Sequence, residues 1–305
     1  MDHPTTMKRR RRFGWLRDLP DLRDFTAGQA VLPQRLQQQG EYLPVRRLLA
    51  RAGLGKGKKL PAATDLREFC PPVEDQGELG SCTAHAGIGL LEYHERRAAG
   101  RHLDASRLFL YKVTRNLMHL EGDTGASNRA TMGALVLFGA PPEEHWPYDV
   151  ARFDQEPPAF CYAFAQSYQA LQYYRLDPPG ATSAAVLTAV KTHLAAGLPP
   201  LLGFSVYQSI ERAEGSGAIP FPGPKERTLG GHSVMVAGYD DRRVIAGNGG
   251  KTTGALLVRN SWGEAWGQQG YGWLPYDYLL RGLAADVWAI LQSEWTQAGE
   301  FGGEE

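Results

Sequence analysis

Apolar positions after Ser81 recur at helical spacing, with Ala84, Ile88 and Leu91 on one face, and the run stops at Gly100. This predicts a helix that starts at Cys82, with Ser81 as its N-cap and the glycine as its end signal. Residues 106–120 and 128–138 carry the same period and predict two further helices. Beyond residue 200 the pattern changes. Short apolar runs at 201–206, 232–239, 255–260 and 270–274 lie between Gly- and Pro-rich turns and predict strands. A helical half followed by a strand-rich half implies an α+β protein of two lobes, with chemistry in the cleft between them. There is no internal repeat.

Composition narrows the class. The chain has 305 residues, 43% hydrophobic and 22% charged, ordinary values for a globular protein with a sizeable core. The start, Met7-Lys8-Arg9-Arg10-Arg11-Arg12-Phe13-Gly14-Trp15, has the basic region of an export signal. The apolar stretch that should follow is interrupted by Arg17, Asp18, Asp21, Arg23 and Asp24, and no run is long enough to span a bilayer. A cytoplasmic location is expected, with no membrane partner. The formal net charge of zero hides an asymmetry: residues 1–60 carry 14 Lys/Arg against 5 Asp/Glu, and the remainder 19 against 28. The basic stretch ends in Gly53-Leu54-Gly55-Lys56-Gly57-Lys58-Lys59, which reads as a flexible linker. Basic tails bind nucleic acid, but no base-reading motif accompanies this one, so no nucleic-acid partner is expected.

The chemistry concentrates in three motifs. Cys82 ends the run Asp75-Gln76-Gly77-Glu78-Leu79-Gly80-Ser81-Cys82, and the first turn of a helix favours a thiolate there. Of eight histidines, His232 opens an apolar strand behind Gly230-Gly231. His85, one helical turn after Cys82, is the competing base, and it reads better as a packing residue. Asn260 heads Asn260-Ser261-Trp262-Gly263-Glu264-Ala265-Trp266-Gly267. Cys, His, Asn and Gln together supply a nucleophile, a base, an orienting amide and an oxyanion donor. Cys70 and Cys161 read as buried free thiols rather than a disulfide, which suggests a reducing compartment. The three cysteines lack metal-ligand spacing, and residues 247–252 read as a hairpin turn rather than a phosphate loop. Neither a metal nor a cofactor is expected.

Over roughly residues 60–291 these motifs resemble those of the papain-like cysteine peptidases. The resemblance implies a papain-like fold with a helical first lobe and a strand-rich, β-barrel-like second lobe. It implies Cys82 as nucleophile, His232 as base, Asn260 as orienter under the shield of Trp262, and Gln76 with the Cys82 N–H as oxyanion donors. It also implies that Gly125 pairs with substrate backbone by strand addition, with Trp262 beside the substrate. Three departures stand out: Leu79 replaces a half-cystine, Thr83 replaces an aromatic residue, and Gly231 replaces a polar one before the base.

The implied organisation is a basic prosegment and linker at 1–59, a catalytic domain at 60–295 and a flexible tail at 296–305. The expected activity is peptide hydrolysis by a monomer on peptide or protein substrates. The alternatives are acyl transfer to an amine through the same residues, or a non-catalytic binding protein that kept the fold. The charge split suggests that the N-terminal segment lies across the cleft as an inhibitor, gripped by Trp15, Leu16, Leu19, Leu22 and Phe25.

Overall fold

The computed structural model describes residues 11–26, 59–100 and 104–295; the expected C-terminal tail and residues 53–58 of the linker lie outside the described residues. The first long helix, α1 (Cys82–Ala99), starts where the pattern places it and ends at Gly100, whose φ of +68° is the left-handed turn that glycine adopts without strain. Ser81 holds the N-cap position without capping. Its hydroxyl is taken by Tyr148 Oη at 2.7 Å and His85 Nδ1 at 3.3 Å. α1 is buried on most sides because it stands between two cores. Tyr93 joins the core of the sheet lobe, whereas Ile88, Leu90 and Leu91 join that of the helical lobe.

The helical lobe adds α2 (Arg107–Leu117) and α3 (Asn128–Leu137), both close to expectation. Their caps are Ser106, whose Oγ accepts from Phe109 N, and Ser127, which does the same for Ala130 N. A short α4 (Ala159–Ala165) and α5 (Ser183–Ala195) follow, then α6 (Tyr276–Leu280) later in the chain.

Seven antiparallel strands form one sheet: β1 (Ala63–Asp65), β2 (Tyr168–Arg175), β3 (Leu201–Tyr207), β4 (Thr228–Gly247), β5 (Gly250–Arg259), β6 (Tyr271–Pro275) and β7 (Ala284–Trp295). The order is β2-β7-β3-β4-β5-β6, with β1 also on β4. The expected 247–252 hairpin is the tight turn between β4 and β5, closed by Gly247 opposite Gly250. The architecture is the two-lobed α+β arrangement expected. All three cysteines are buried and unpaired.

The sheet register positions the site. β3 lies between β4 and β7, pairing Phe204 with His232, Gly203 with Ser233, and Gly203 also with Ala285. The N-terminal segment crosses this region. Trp15 forms a parallel bridge to Ala126 of the helical lobe, while its N–H donates to the Gly231 carbonyl of the sheet lobe at 2.9 Å.

Candidate active site

His232 leads the buried stretch of β4, and its ring is fully buried. Its Nε2 lies 2.8 Å from Asn260 Oδ1, which also accepts the Ser261 backbone N–H at 2.8 Å. An amide oxygen accepts and does not donate, so Nε2 carries the proton, and in the neutral ring Nδ1 holds the lone pair. Nδ1 has no hydrogen-bond partner. The Trp262 indole stacks on the imidazole with centroids 4.7 Å apart and covers the His232–Asn260 bond from solvent. His85, the rival base, sits with Nδ1 against the Ser81 carbonyl at 3.1 Å, and burial holds its pKa down at about 3.

Cys82 is fully buried at the head of α1. Burial pushes its thiol up to about 11, against backbone hydrogen bonds from Ser233, Gly14, Thr83 and Cys82 itself. Such bonds favour the anion, so they come from N–H donors. Ser233 directly follows His232, so β4 brings the base's own strand onto the thiol. Burial likewise pushes His232 down to about 4; the Asn260 hydrogen bond opposes this, and the nearby charge of Arg11 adds to it. Both groups are neutral near pH 7 in this state.

Gln76 is buried rather than on an exposed loop. Ser261 Oγ donates to its Oε1 at 2.5 Å, which fixes the amide and turns Nε2 toward carbonyl acceptors, Leu79 O at 2.7 Å and Arg12 O at 3.2 Å. The two motifs are also joined through their main chains. Gln76 N donates to Ser261 O at 2.9 Å and Gly263 N to Glu74 O at 3.0 Å. Ser261 is a positioning residue that the sequence reading passed over, although it lies inside the quoted motif.

The segment fills the centre of the cleft. The Gly14 carbonyl accepts from Ala126 N at 2.8 Å, and Leu16 N donates to the Ala126 carbonyl at 2.9 Å. These strand-addition bonds fall on Ala126 rather than on Gly125, the residue expected to make them, whose own N–H donates to Tyr111 Oη at 3.1 Å. Gly125 makes room for them: its φ is +80°, and a Cβ there would fall 2.1 Å from the Gly14 carbonyl oxygen. Phe13 meets the edges of His232 and Trp262, and Arg11 stacks over Trp262 at 4.7 Å. Arg12 pairs with Asp123, and Arg11 with Glu214 at 3.2 Å. Beyond the segment a depression of about 1240 Å³ stays open, lined by Asp75, Gly80, Ile210 and Trp262 among others.

Two expectations about the segment are corrected. Leu19 and Leu22 are 71% and 90% exposed and grip nothing, and Leu16 is only partly covered. The anchors are Phe13, Trp15 and Phe25. The charge match is also not simply basic on acidic. Asp18 and Asp24 of the segment meet Arg129 at 3.1 and 2.9 Å, and Asp24 meets the fully buried Arg175 at 3.2 Å. A buried guanidinium recruits carboxylates whatever the net charge of the segment.

Among the described residues no group of three or more His, Cys, Asp or Glu could hold a metal ion, and no helix is long and apolar enough to cross a membrane.

Residues 60–284 match the model of the papain family cysteine proteases. An uncharacterised peptidase C1-like protein of Acanthamoeba polyphaga mimivirus is 31% identical over 92% of this chain and 86% of its own length. Procathepsin L of Rattus norvegicus is 26% identical over 70% of this chain, which spans 60% of that protein. Among solved structures, the cysteine protease xylellain of Xylella fastidiosa superposes with a TM-score of 0.70 at 30% identity, covering 94% of this chain and 98% of its own.

Proposed function

We propose, for a chain that belongs to the papain family of cysteine proteases and is a cysteine-type peptidase, that Cys82, His232, Asn260 and Gln76 carry the reaction and that residues 11–26 hold the enzyme latent. The observation that carries the catalytic part is the orientation of His232. Asn260 holds Nε2–H, so the unpartnered Nδ1 lone pair is the one available to the thiol.

With a peptide in the cleft, His232 Nδ1 takes the thiol proton and the Cys82 sulfur bonds to the carbonyl carbon. The oxyanion forms against Gln76 Nε2–H and the Cys82 backbone N–H. The C–N bond breaks as the imidazolium gives its proton to the leaving amine, and a thioester remains. Water then gives a proton to His232 and attacks the thioester, and the sulfur leaves to recover the thiol. Asn260 keeps the ring in one tautomer through both half-reactions.

Latency has two supports. The segment covers the thiol with a backbone N–H of Gly14, a donor, where a substrate must offer an electrophilic carbon. Its burial of both groups, with Arg11 beside the ring, also disfavours the thiolate–imidazolium pair. Departure of the segment readmits water and removes that penalty.

The test is labelling with a thiol-directed epoxide inhibitor of peptidyl type, followed by peptide mapping. The label is expected on Cys82, with peptide hydrolysis lost in Cys82→Ala and kept in Cys70→Ala and Cys161→Ala. Turnover retained by Cys82→Ala would sink the mechanism.

A further inference from the structure

The first turn of α1 carries a buried histidine, His85, that the catalytic steps leave unused. Burying an imidazole costs free energy unless its nitrogens are bonded, and His85 Nε2 has no partner among the described residues. Nδ1 is the nitrogen in use. A carbonyl oxygen accepts, so the Nδ1 that lies 3.1 Å from Ser81 O carries the proton and donates there. The Ser81 hydroxyl oxygen, at 3.3 Å, is its second acceptor. Burial, helped by the charge of Arg107, keeps the ring neutral and leaves Nε2 bare.

Ser81 O belongs to the same peptide unit as the Cys82 N–H, one of the two oxyanion donors. It accepts twice from His85, from the ring and from the backbone N–H at 3.1 Å as the helix begins. Two donors on one carbonyl fix the plane of that peptide and polarise it, which strengthens its N–H as a donor. The same serine reaches toward the other oxyanion donor. Tyr148 Oη donates to the Gln76 carbonyl at 3.0 Å, so the Ser81 hydroxyl, at 2.7 Å, is the one that donates to Tyr148. Each group passes its proton in the same direction, from His85 to Ser81 to Tyr148 to Gln76. Tyr148 is itself held in place. Its N–H donates to Glu143, whose carboxylate lies 3.5 Å from the Arg107 guanidinium, and its ring meets that of His85 edge-on at 4.9 Å. Ser261 fixes Gln76 from the sheet lobe, and Tyr148, packed on the helical core, fixes it from the other side.

We propose that His85 and Tyr148 are positioning residues for the oxyanion hole. They align its two donors, the Cys82 N–H through the Ser81 carbonyl and Gln76 Nε2–H through the Gln76 carbonyl. This rests on the peptidase reading above. Neither residue exchanges a proton with the thiol. Both half-reactions raise a negative oxygen against these donors, so misalignment slows acylation and deacylation alike.

The test takes as parent the full chain with Trp15→Ala, in which the cleft is expected to stand open. Tyr148→Phe deletes one oxygen, and His85→Leu deletes the ring donor at nearly constant volume. Each should lower kcat on a fluorogenic peptide about three- to thirtyfold with KM unchanged, less than the roughly 10²–10³-fold lost with a whole oxyanion donor. His85→Asn should recover most of that loss, because its amide nitrogen is bonded to the same Cγ as Nδ1. Alkylation of Cys82 by iodoacetamide displaces iodide from a saturated carbon and forms no oxyanion, so all three variants should label at the parent's rate. In a Gln76→Ala background Tyr148→Phe should have almost no further effect, since its route to the oxyanion is already cut. Unchanged kcat in either Tyr148→Phe or His85→Leu would overturn the proposal, as would His85→Asn being as slow as His85→Leu. So would alkylation that falls in step with kcat, or a Tyr148→Phe loss that persists in full without the Gln76 amide, since both mark general damage to the site. If His85→Leu fails to fold, Tyr148→Phe alone and with Gln76→Ala decides. Failure of the peptidase reading shows separately, as no hydrolysis by the parent.

Discussion

Replacing Trp15 by alanine in the full chain should switch the enzyme on. The side chain is 7% exposed when docked, fills a slot against Gly203 and Gly231, and bonds Asp286. Truncating a buried tryptophan costs about 3–5 kcal/mol. That loss falls on the docked state, because the undocked segment gives the indole to water. At about 1.4 kcal/mol per decade, the undocked fraction should rise roughly a hundredfold to a few thousandfold, until the population is mostly open. Two readouts apply: hydrolysis of a fluorogenic peptide, and alkylation of Cys82 by iodoacetamide followed by mapping, which reports access whether or not turnover occurs. Leu22→Ala is the control, since that side chain is 90% exposed and should stay within twofold of the parent in both assays. If Trp15→Ala is no faster than the parent by either measure, the segment does not gate the site.

The pH dependence of alkylation should differ between the same two proteins. With the thiol held at about 11, the parent retains its proton at neutral pH, and its labelling rate should keep rising beyond pH 9. Trp15→Ala, rehydrated and free to form the ion pair with His232, should level off at lower pH; coincident profiles would contradict the burial argument. In the Trp15→Ala background, Asn260→Ala should lower kcat without abolishing it, because the ring can still reach the thiol in a looser orientation. His232→Ala should lose at least the 10²–10⁴-fold that general-base help contributes, and a larger loss in His85→Ala would show that the base is misassigned.

The candidate site was legible where its residues lie in short motifs. Gln76 to Cys82, Gly230 to His232 and Asn260 to Gly267 each read as a unit, and the helix start at Cys82 follows from local periodicity. What escaped is set by register between distant strands. Gly203, Gly231 and Asp286 meet only because β3 is laid between β4 and β7. In the sequence, Asp286 is a lone acid that interrupts the apolar run Leu283-Ala284-Ala285-Asp286-Val287-Trp288-Ala289-Ile290, which lacks the alternation that would have announced β7. That interruption was itself a signal, since a charge inside an otherwise apolar strand needs a partner. The segment's leucines misled for a related reason. Apolar character says that a side chain gains from burial, but Leu19 and Leu22 are carried past the surface by a chain whose path is set by Trp15 and by Asp24 on Arg175.

The main-chain bonds that join Gln76 to Ser261 and Glu74 to Gly263 bear on how the cleft opens. They tie the loop before the nucleophile to the loop after the orienting amide, directly across the mouth of the reaction centre. A jaw-like parting of the halves would have to break this stitch and pull the oxyanion donor away from the imidazole. Peeling residues 11–26 away breaks their own bonds, among them those at Gly231, Ala126, Arg175 and Gln76, and leaves that stitch in place. On the proposed latency, admission of substrate is a local unzipping with its own free energy, below that of global unfolding, on a scaffold that stays shut. Hydrogen exchange should find the amides of Trp15, Leu16 and Ala126 opening together, while those of Gln76 and Gly263 remain as protected as the sheet.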